Sequence, residues 1–386
     1  MIRLALYLLP VLINYVLGGV FFITALRCSQ ANAPGWVVGA TLSCWSLIYS
    51  VTTALIKSKI TLKNCAFLII LAGLMLSFAS IGFLVFPGIY IQFVWIAVNG
   101  LAAAFSTTAF QLFAKAVEPD QNTGVVKAAA LYTASWSLGM ATGPFLFGLF
   151  SATANFIINA VLGVVISLTI YGINKVKKVS EESVNTPDAA ESDAAAEGSS
   201  IPDMAIAGWT LGIAGTIAVA ILRCMIPYRS TQLGFSDAAA GTTMAVISYT
   251  QVVMGLLLLR AKKLMYAPVP TLLFGALGFS ALLAWGFGSS VSLFLASGVI
   301  FGIYSGFFYF MFVYHALISK EHSARNVAVN EIIVGTTGTF APFLGGLLSS
   351  PETSGAAFPV AAVLCITSVI LTAVYFIRKK YSFSGI

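Results

Sequence analysis

Apolar stretches of roughly 18 to 25 residues, set apart by short clusters of charge, recur along the whole chain, and that is the length needed to cross a hydrocarbon core about 30 Å thick at about 1.5 Å of rise per residue. No soluble fold accommodates such a pattern. Only 9% of the residues are charged while 59% are hydrophobic, and a chain of that make-up lacks the polar surface to stay in water. The sequence therefore specifies a polytopic α-helical membrane protein.

Twelve spans are expected, at about 4–26, 36–56, 65–86, 90–114, 128–150, 153–174, 204–222, 238–259, 268–287, 291–318, 326–349 and 356–377. With the N-terminus inside, seventeen of the twenty Lys and Arg residues fall on the cytoplasmic side, and only Arg27, Arg223 and Arg229 do not. This positive-inside asymmetry supports the span count and puts both termini in the cytoplasm, with a bacterial inner membrane as the expected location. The formal net charge of +7 is accounted for by topology, so no nucleic-acid partner is implied.

The first apolar run could be misread as a signal peptide ending at Ala31-Asn32-Ala33. Pro34 disfavours cleavage there and the run is long enough to span, so it reads as a retained helix. Arg27 before Cys28 also argues against a lipoprotein site. Cys28, Cys44, Cys65, Cys224 and Cys365 lack CxxC spacing; no structural disulfide, metal site or cofactor is expected.

Residues 175–203 are basic at the membrane edge and then acidic and rich in Ala and Ser, with almost no apolar bulk. They read as a flexible cytoplasmic linker between bundles at 1–174 and 204–386. The two halves resemble each other. Leu26-Arg27-Cys28 recurs as Leu222-Arg223-Cys224, GPFLFGL at 143–149 as APFLGGL at 341–347, and Lys127 and Arg325 each precede the matching proline by 17 residues. Repeats of this kind place a substrate site at their interface near the bilayer midplane.

Six plus six spans, a long central loop and the run Gly139, Gly143, Pro144, Gly148 in the fifth span resemble the major facilitator superfamily over essentially the whole chain. The glycine-proline run is similar to the fifth-span motif of proton-driven antiporters, although Leu131 stands where that motif has a further glycine. The loop after the second span, Thr53 to Lys59, keeps basic residues but has Lys57 at the position of the family's aspartate. The resemblance implies two pseudo-symmetric six-helix bundles and a secondary active transporter, not an enzyme. It would be monomeric and move a small solute by alternating access with a proton as coupling ion, the motif favouring efflux.

The resemblance also places spans 1, 4, 7 and 10 around a central cavity. Its polar and aromatic candidates for substrate are Asn14, Tyr15, Asn99, Thr107, Gln111, Trp209, Tyr304, Ser305 and Tyr309. Arg27 and Arg223 occupy equivalent positions and resemble the anion clamp of organophosphate-type members; the plain alternative is that both snorkel to the outer interface. Gly302 and Gly306 have small-xxx-small spacing, and with Pro342 and Gly346 they read first as packing and bending positions that also permit sliding. Glu331 is the one carboxylate placed well inside a span, roughly 9 Å beyond Arg325 at about 1.5 Å per residue. An intramembrane acid is a candidate for proton coupling, or a structural acid if partnered. His315 is expected beside it at similar depth, as a second proton carrier or as an interfacial residue. The sequence holds no P-loop pattern and no nucleophile–base set. An organic-anion exchanger using Arg27 and Arg223 and a transporter-like sensor without flux are the alternatives.

Overall fold

Backbone polar groups inside a bilayer have to be satisfied within the protein, and an uninterrupted helix does this from its own residues. The structure, a computed structural model, describes residues 2–117, 125–177, 204–318 and 322–379. Twelve long helices run through them: α1 (Ile2–Gln30), α2 (Gly35–Ile56), α3 (Leu62–Val85), α4 (Gln92–Val117), α5 (Val125–Leu149), α6 (Ala152–Lys177), α7 (Ala205–Gln232), α8 (Asp237–Leu258), α9 (Pro268–Phe287), α10 (Val291–Leu317), α11 (Ser323–Leu347) and α12 (Ala357–Lys379). No strand occurs among the described residues. Eleven of the helices are long and apolar enough to cross a membrane when only described residues are counted. The other, α5, has 25 residues and carries Lys127 as its single charge.

Local chemistry sets the helix ends. The Thr61 backbone N–H donates to Asn64 Oδ1 at the start of α3, Ser236 Oγ accepts from Ala239 N at the start of α8, and Ser290 Oγ accepts from Leu293 N at the start of α10, each occupying a polar group that helix geometry leaves without a partner. Gly234, at φ 71°, makes the tight turn between α7 and α8 that a side chain would strain.

The helices pair in one pattern used twice. In the first half α1 packs on α5, α3 on α6 and α4, and α2 on α4; in the second half α7 packs on α11, α9 on α12 and α10, and α8 on α10. Corresponding helices are six apart, so they run in the same direction and the halves are parallel repeats. The halves join where α5 meets α8, α2 meets α11, and α1 meets α7. Large apolar side chains such as Phe67, Phe78, Leu168, Leu273, Val363 and Leu371 stand exposed along the bundle, as a multi-pass membrane protein requires of its lipid-facing surface.

One boundary differs from expectation in a way that matters. The seventh span was expected to end at residue 222, but α7 continues to Gln232 through Arg223, Pro227 and Arg229. A charge marks the end of a span only when it faces lipid or headgroups. These arginines face protein, so the helix passes them. Of the linker expected at 175–203, residues 178–203 lie outside the described residues. The five cysteines are separate free thiols.

Candidate functional site

Both chain ends lie on the same face of an even-numbered bundle, here termed the termini side. On the opposite, far side the halves meet through the glycines and prolines that recur between them. A Cβ on Gly39 of α2 would run into the carbonyl oxygen of Pro342 on α11, and a Cβ on Gly241 of α8 would run into the carbonyl oxygen of Pro144 on α5. The two contacts are the same contact in the two repeats. Each depends on a residue without a side chain, since only then can the backbones approach so closely. Gly346 backs onto Gly35, and a Cβ on Gly148 would meet the Asp237 carbonyl oxygen at 2.7 Å. Gln30 Nε2 donates to Asp237 Oδ1 at 2.9 Å across the outer edge. The far side is closed by the repeated motif itself.

The other motif glycines pack within a half. Gly139 and Gly143 let α5 lie against α1 at Val11, Tyr15 and Gly19, while Gly302 and Gly306 let α10 lie against α8 at Ile247, Gln251 and Met254. α1 and α10 are thus brought close to the partner helices that form the junction between halves.

Toward the termini side, a cleft enclosing about 530 Å³, part of it open solvent, lies between α5, α8 and α10, with Thr133, Ser137, Gln251, Gly306, Tyr309 and Tyr314 among its walls. A hydrogen-bonded chain crosses it from one half to the other: Ser305 Oγ donates to Gln251 Oε1 at 2.6 Å, and Gln251 Nε2 donates to Ser137 Oγ at 3.0 Å. Nearby, Thr142 and Tyr249 join their hydroxyls at 3.1 Å. Tyr309 stacks on Phe308 at 4.3 Å between ring centroids and meets the Trp136 ring edge-on at 6.5 Å. The Arg223 guanidinium lies over the same Trp136 ring, 5.4 Å from its centroid. Ser305, Tyr309 and Arg223 among the sequence candidates are therefore gathered at the junction of the halves.

Arg27 is not with them. Its Nη1 donates to the Phe83 carbonyl at 3.1 Å and its guanidinium lies 4.8 Å from the Phe156 ring centroid, which fastens α1 to α3 and α6. The corresponding fastening in the second half comes from Arg229, whose Nη2 donates to the Gly288 carbonyl at 2.9 Å and Nη1 to Ser354 Oγ at 3.2 Å. The arginines that sequence alignment of the halves equates, Arg27 and Arg223, thus have different neighbours, and Arg27 and Arg229 are the structural counterparts.

Other candidates are held by their own half. Tyr304 is fully buried, its ring where a Cβ on Gly278 of α9 would stand, because the α10 face carrying it turns toward α9 and not toward the cleft. Asn14 Nδ2 donates to the Pro10 carbonyl at 2.8 Å, Asn99 Nδ2 to the Trp95 carbonyl at 2.9 Å and Thr107 Oγ1 to the Ala103 carbonyl at 2.8 Å. Each donates to the preceding turn of its own helix, and Asn99 Oδ1 is left buried without a hydrogen-bond partner. Tyr15 is buried and Gln111 is exposed. Trp209 Nε1 donates to Asn330 Oδ1 at 3.0 Å, and Asn330 Nδ2 to the Phe312 carbonyl at 3.0 Å, tying α7, α11 and α10 together.

His315 and Glu331 also separate. His315 is fully buried, its Nε2 3.2 Å from the Met265 carbonyl and its ring 5.0 Å and 5.4 Å from those of Tyr266 and Tyr314. Tyr266, in the turn between α8 and α9, has its hydroxyl proton held well above the usual phenol range by burial and by the bond to Tyr314. Glu331 is exposed, and the charge it feels most is Lys57, at the end of α2. Helical spacing explains this. Glu331, Gly335, Gly338, Pro342 and Gly346 form one stripe at three- and four-residue intervals, and that stripe meets α2 at Ser50, Ser46, Gly39 and Gly35. Glu331 and Lys57 continue the α2–α11 junction beyond its last close contact, toward the termini side.

Sequence reasoning missed Trp136, Ser137 and Gln251 because it restricted candidates to spans 1, 4, 7 and 10. The signal was present as polar residues in spans 5 and 8.

No family profile and no curated protein matches the chain. Solved structures do resemble it. The nucleoside transporter NupG is 15% identical, with a TM-score of 0.65 over 99% of this chain and 100% of that one. A bacterial homologue of the human lysosomal transporter Spinster, solved inward-facing and unoccupied, is 13% identical, with a TM-score of 0.67 over 99% of this chain and 98% of that one. What this chain has in common with these transporters is the fold over nearly its whole length.

Proposed function

We propose that this chain is a distant major-facilitator-type secondary transporter, which moves a small solute between the two membrane faces by rocking the bundle at 1–174 against the bundle at 204–386. The observation that supports the reading best is the asymmetry along the junction. The far side is sealed by two repeat-related glycine–proline contacts, while the termini side holds a cleft whose walls come from both halves. Contacts made without interlocking side chains can separate and re-form as packed elements shift.

The same reading assigns coupling to Glu331. It sits on the α2-facing stripe of α11 with Lys57 as its counter-charge, Arg325 a turn and a half earlier on its own helix, and His315 turned away toward Met265 in the turn between α8 and α9. When the termini side closes, Glu331 and Lys57 approach and the ionised acid favours the closed mouth; a proton on Glu331 removes that attraction. The positive-inside pattern makes the termini side cytoplasmic and the described state inward-facing. The location is a bacterial inner membrane, the transporter acts as a monomer, and the direction is efflux in exchange for protons.

The test is flux in proteoliposomes carrying an imposed pH gradient and a mixture of amino acids, nucleosides and organic acids, with the lumen read by mass spectrometry. At least one solute should redistribute with the gradient, and Glu331→Gln should abolish that while leaving gradient-free exchange. A lumen identical to that of protein-free vesicles would overturn the transporter reading. Gradient-driven flux unchanged in Glu331→Gln would overturn the coupling assignment alone.

A further inference from the structure

The geometry points to an anion seat at Arg223, and hence to an organic monoanion with an apolar or aromatic body as the solute; this rests on the transporter reading above. Among the three arginines of α1 and α7 that lie beyond the basic clusters, two are spent on helix ends. Arg27 holds the Phe83 carbonyl, and Arg229 holds the Gly288 carbonyl and Ser354. Arg223 holds none. Among the described residues it makes no hydrogen bond and has no carboxylate within ion-pair distance, and its guanidinium lies over the Trp136 ring.

A guanidinium inside a membrane bundle without an acceptor is costly, and such groups mark substrate paths more often than structure. Here the cost has a use. The guanidinium lies over the Trp136 ring, where the ring quadrupole attracts the cation, and no described residue accepts a hydrogen bond from its N–H groups. The edge of a guanidinium matches a carboxylate in two parallel hydrogen bonds. The walls beside it are Trp136 from the first half and Tyr309 stacked on Phe308 from the second, which suit an apolar or aromatic body.

The count of charges narrows the class further. Arg27 lies elsewhere, so a single fixed cation serves the seat and matches one negative charge better than two. The Ser305–Gln251–Ser137 chain has its amide already engaged at both ends; it braces α10, α8 and α5 around the seat and leaves the charge recognition to Arg223. The seat also spans the junction, with Trp136 on α5 and Arg223 and Tyr309 on α7 and α10. A bound anion would therefore touch both halves, as a solute must if it is to bias their rocking.

The test uses the full chain in nanodiscs with phenylacetate and 3-phenylpropionate as probes, phenylacetamide as the neutral control and succinate as the dianion, read by thermal shift and by tryptophan fluorescence. Both monocarboxylates should stabilise the protein and change its fluorescence, with phenylacetamide and succinate at least about tenfold weaker, the difference expected for a charge-assisted pair. Arg223→Gln should lose at least about tenfold in affinity for the acids, and Arg223→Lys, which keeps the charge and loses the planar fork, should fall between. Should Arg223→Gln fail to fold, Arg223→Lys together with Trp136→Phe carries the test, the second removing the fluorescence response. Equal binding of the amide, acid affinity untouched in the folded Arg223 variants, or no response to either acid would overturn the seat. Counterflow of the same acids in proteoliposomes separates this from the parent reading. Arg223-dependent binding without counterflow removes transport and keeps the seat, whereas flux of a neutral solute indifferent to Arg223 removes the seat and keeps transport.

Discussion

Adding one methyl to each glycine of the far-side seal, in Gly39→Ala with Gly241→Ala, should open that side. At Gly39 the new Cβ would stand 2.7 Å from the Pro342 carbonyl carbon, closer still to its oxygen, and at Gly241 it would stand 3.1 Å from the Gly148 Cα. Ordinary carbon contacts begin at about 3.5 Å and carbon–oxygen contacts slightly closer, so each pair of helices has to part by about 1 Å, and the obstacle is backbone that cannot rotate aside. Overpacking of this kind costs about 1–3 kcal/mol per site. The cost falls only on the far-closed state. The gain of about 1 kcal/mol in helix propensity from Gly to Ala applies to both states and cancels between them. A bias of about 1–3 kcal/mol changes the ratio of the two states about 5- to 150-fold, and the two sites share one junction, so their effects need not add. Spin labels at Gly88→Cys and Ser289→Cys, exposed positions in corresponding far-side loops of the two halves, would read the outcome by pulsed electron resonance with the half-buried Cys44 replaced by Ser. The unsubstituted seam should give one short distance, and the double variant should add a longer one. A folded double variant with the unchanged short distance would refute the idea that these glycines hold the far side shut.

Three further outcomes follow from the same contacts. Arg229→Gln should lower the melting temperature more than Arg27→Gln in detergent, because Arg229 serves two acceptors and Arg27 one, each charged hydrogen bond being worth about 1.5–3 kcal/mol; the reverse order would contradict the assignment. Gln251→Leu strands the Ser137 and Ser305 hydroxyls at about 1–3 kcal/mol each, so adding Ser137→Ala and Ser305→Ala should restore part of the lost melting temperature; a further drop would show that the chain does not work as one unit. Tyr304→Phe should leave the affinity for any solute of the cleft unchanged, whereas Tyr309→Ala should weaken it in the same binding measurement.

Spans and parallel halves were legible in the sequence because each leaves a one-dimensional trace: the length of an apolar run and the order of a repeat. The glycine–proline run stood out as a motif, but its contacts with Gly39 and Gly241 across the halves did not. Which way a helix faces leaves no such trace. In a soluble helix the apolar stripe points inward, but in α10 both the α9-facing Tyr304 and the cleft-facing Tyr309 sit in an apolar run, and lipid asks for the same residue types as the core. Tyr304 was therefore grouped with the cleft, and Trp136 was overlooked. Arg27 and Arg223 fell into the same difficulty. Their matching tripeptides are real, yet α7 runs nine residues past Arg223 while α1 ends three after Arg27, so equal sequence positions are not equal depths relative to the helix ends. Glu331 was placed inside a span from its depth, but its side chain is exposed and the charge it feels most, Lys57, lies in the other half, at a position where the loop departs from the family pattern.

The central claim is that solute crosses because the far-side seam opens. A disulfide across that seam tests it most directly. The Ser46 Cβ lies 3.4 Å from a Cβ built on Gly338, close to the spacing of about 3.5–4.5 Å that a disulfide adopts, so Ser46→Cys with Gly338→Cys, in a background carrying Cys44→Ser, can join α2 to α11. The measurement is counterflow, in proteoliposomes, of the solute found to redistribute with the pH gradient. Flux should vanish on oxidation and return on reduction. Equal flux in the oxidised, fully cross-linked protein and in the reduced one would contradict alternating access through this seam.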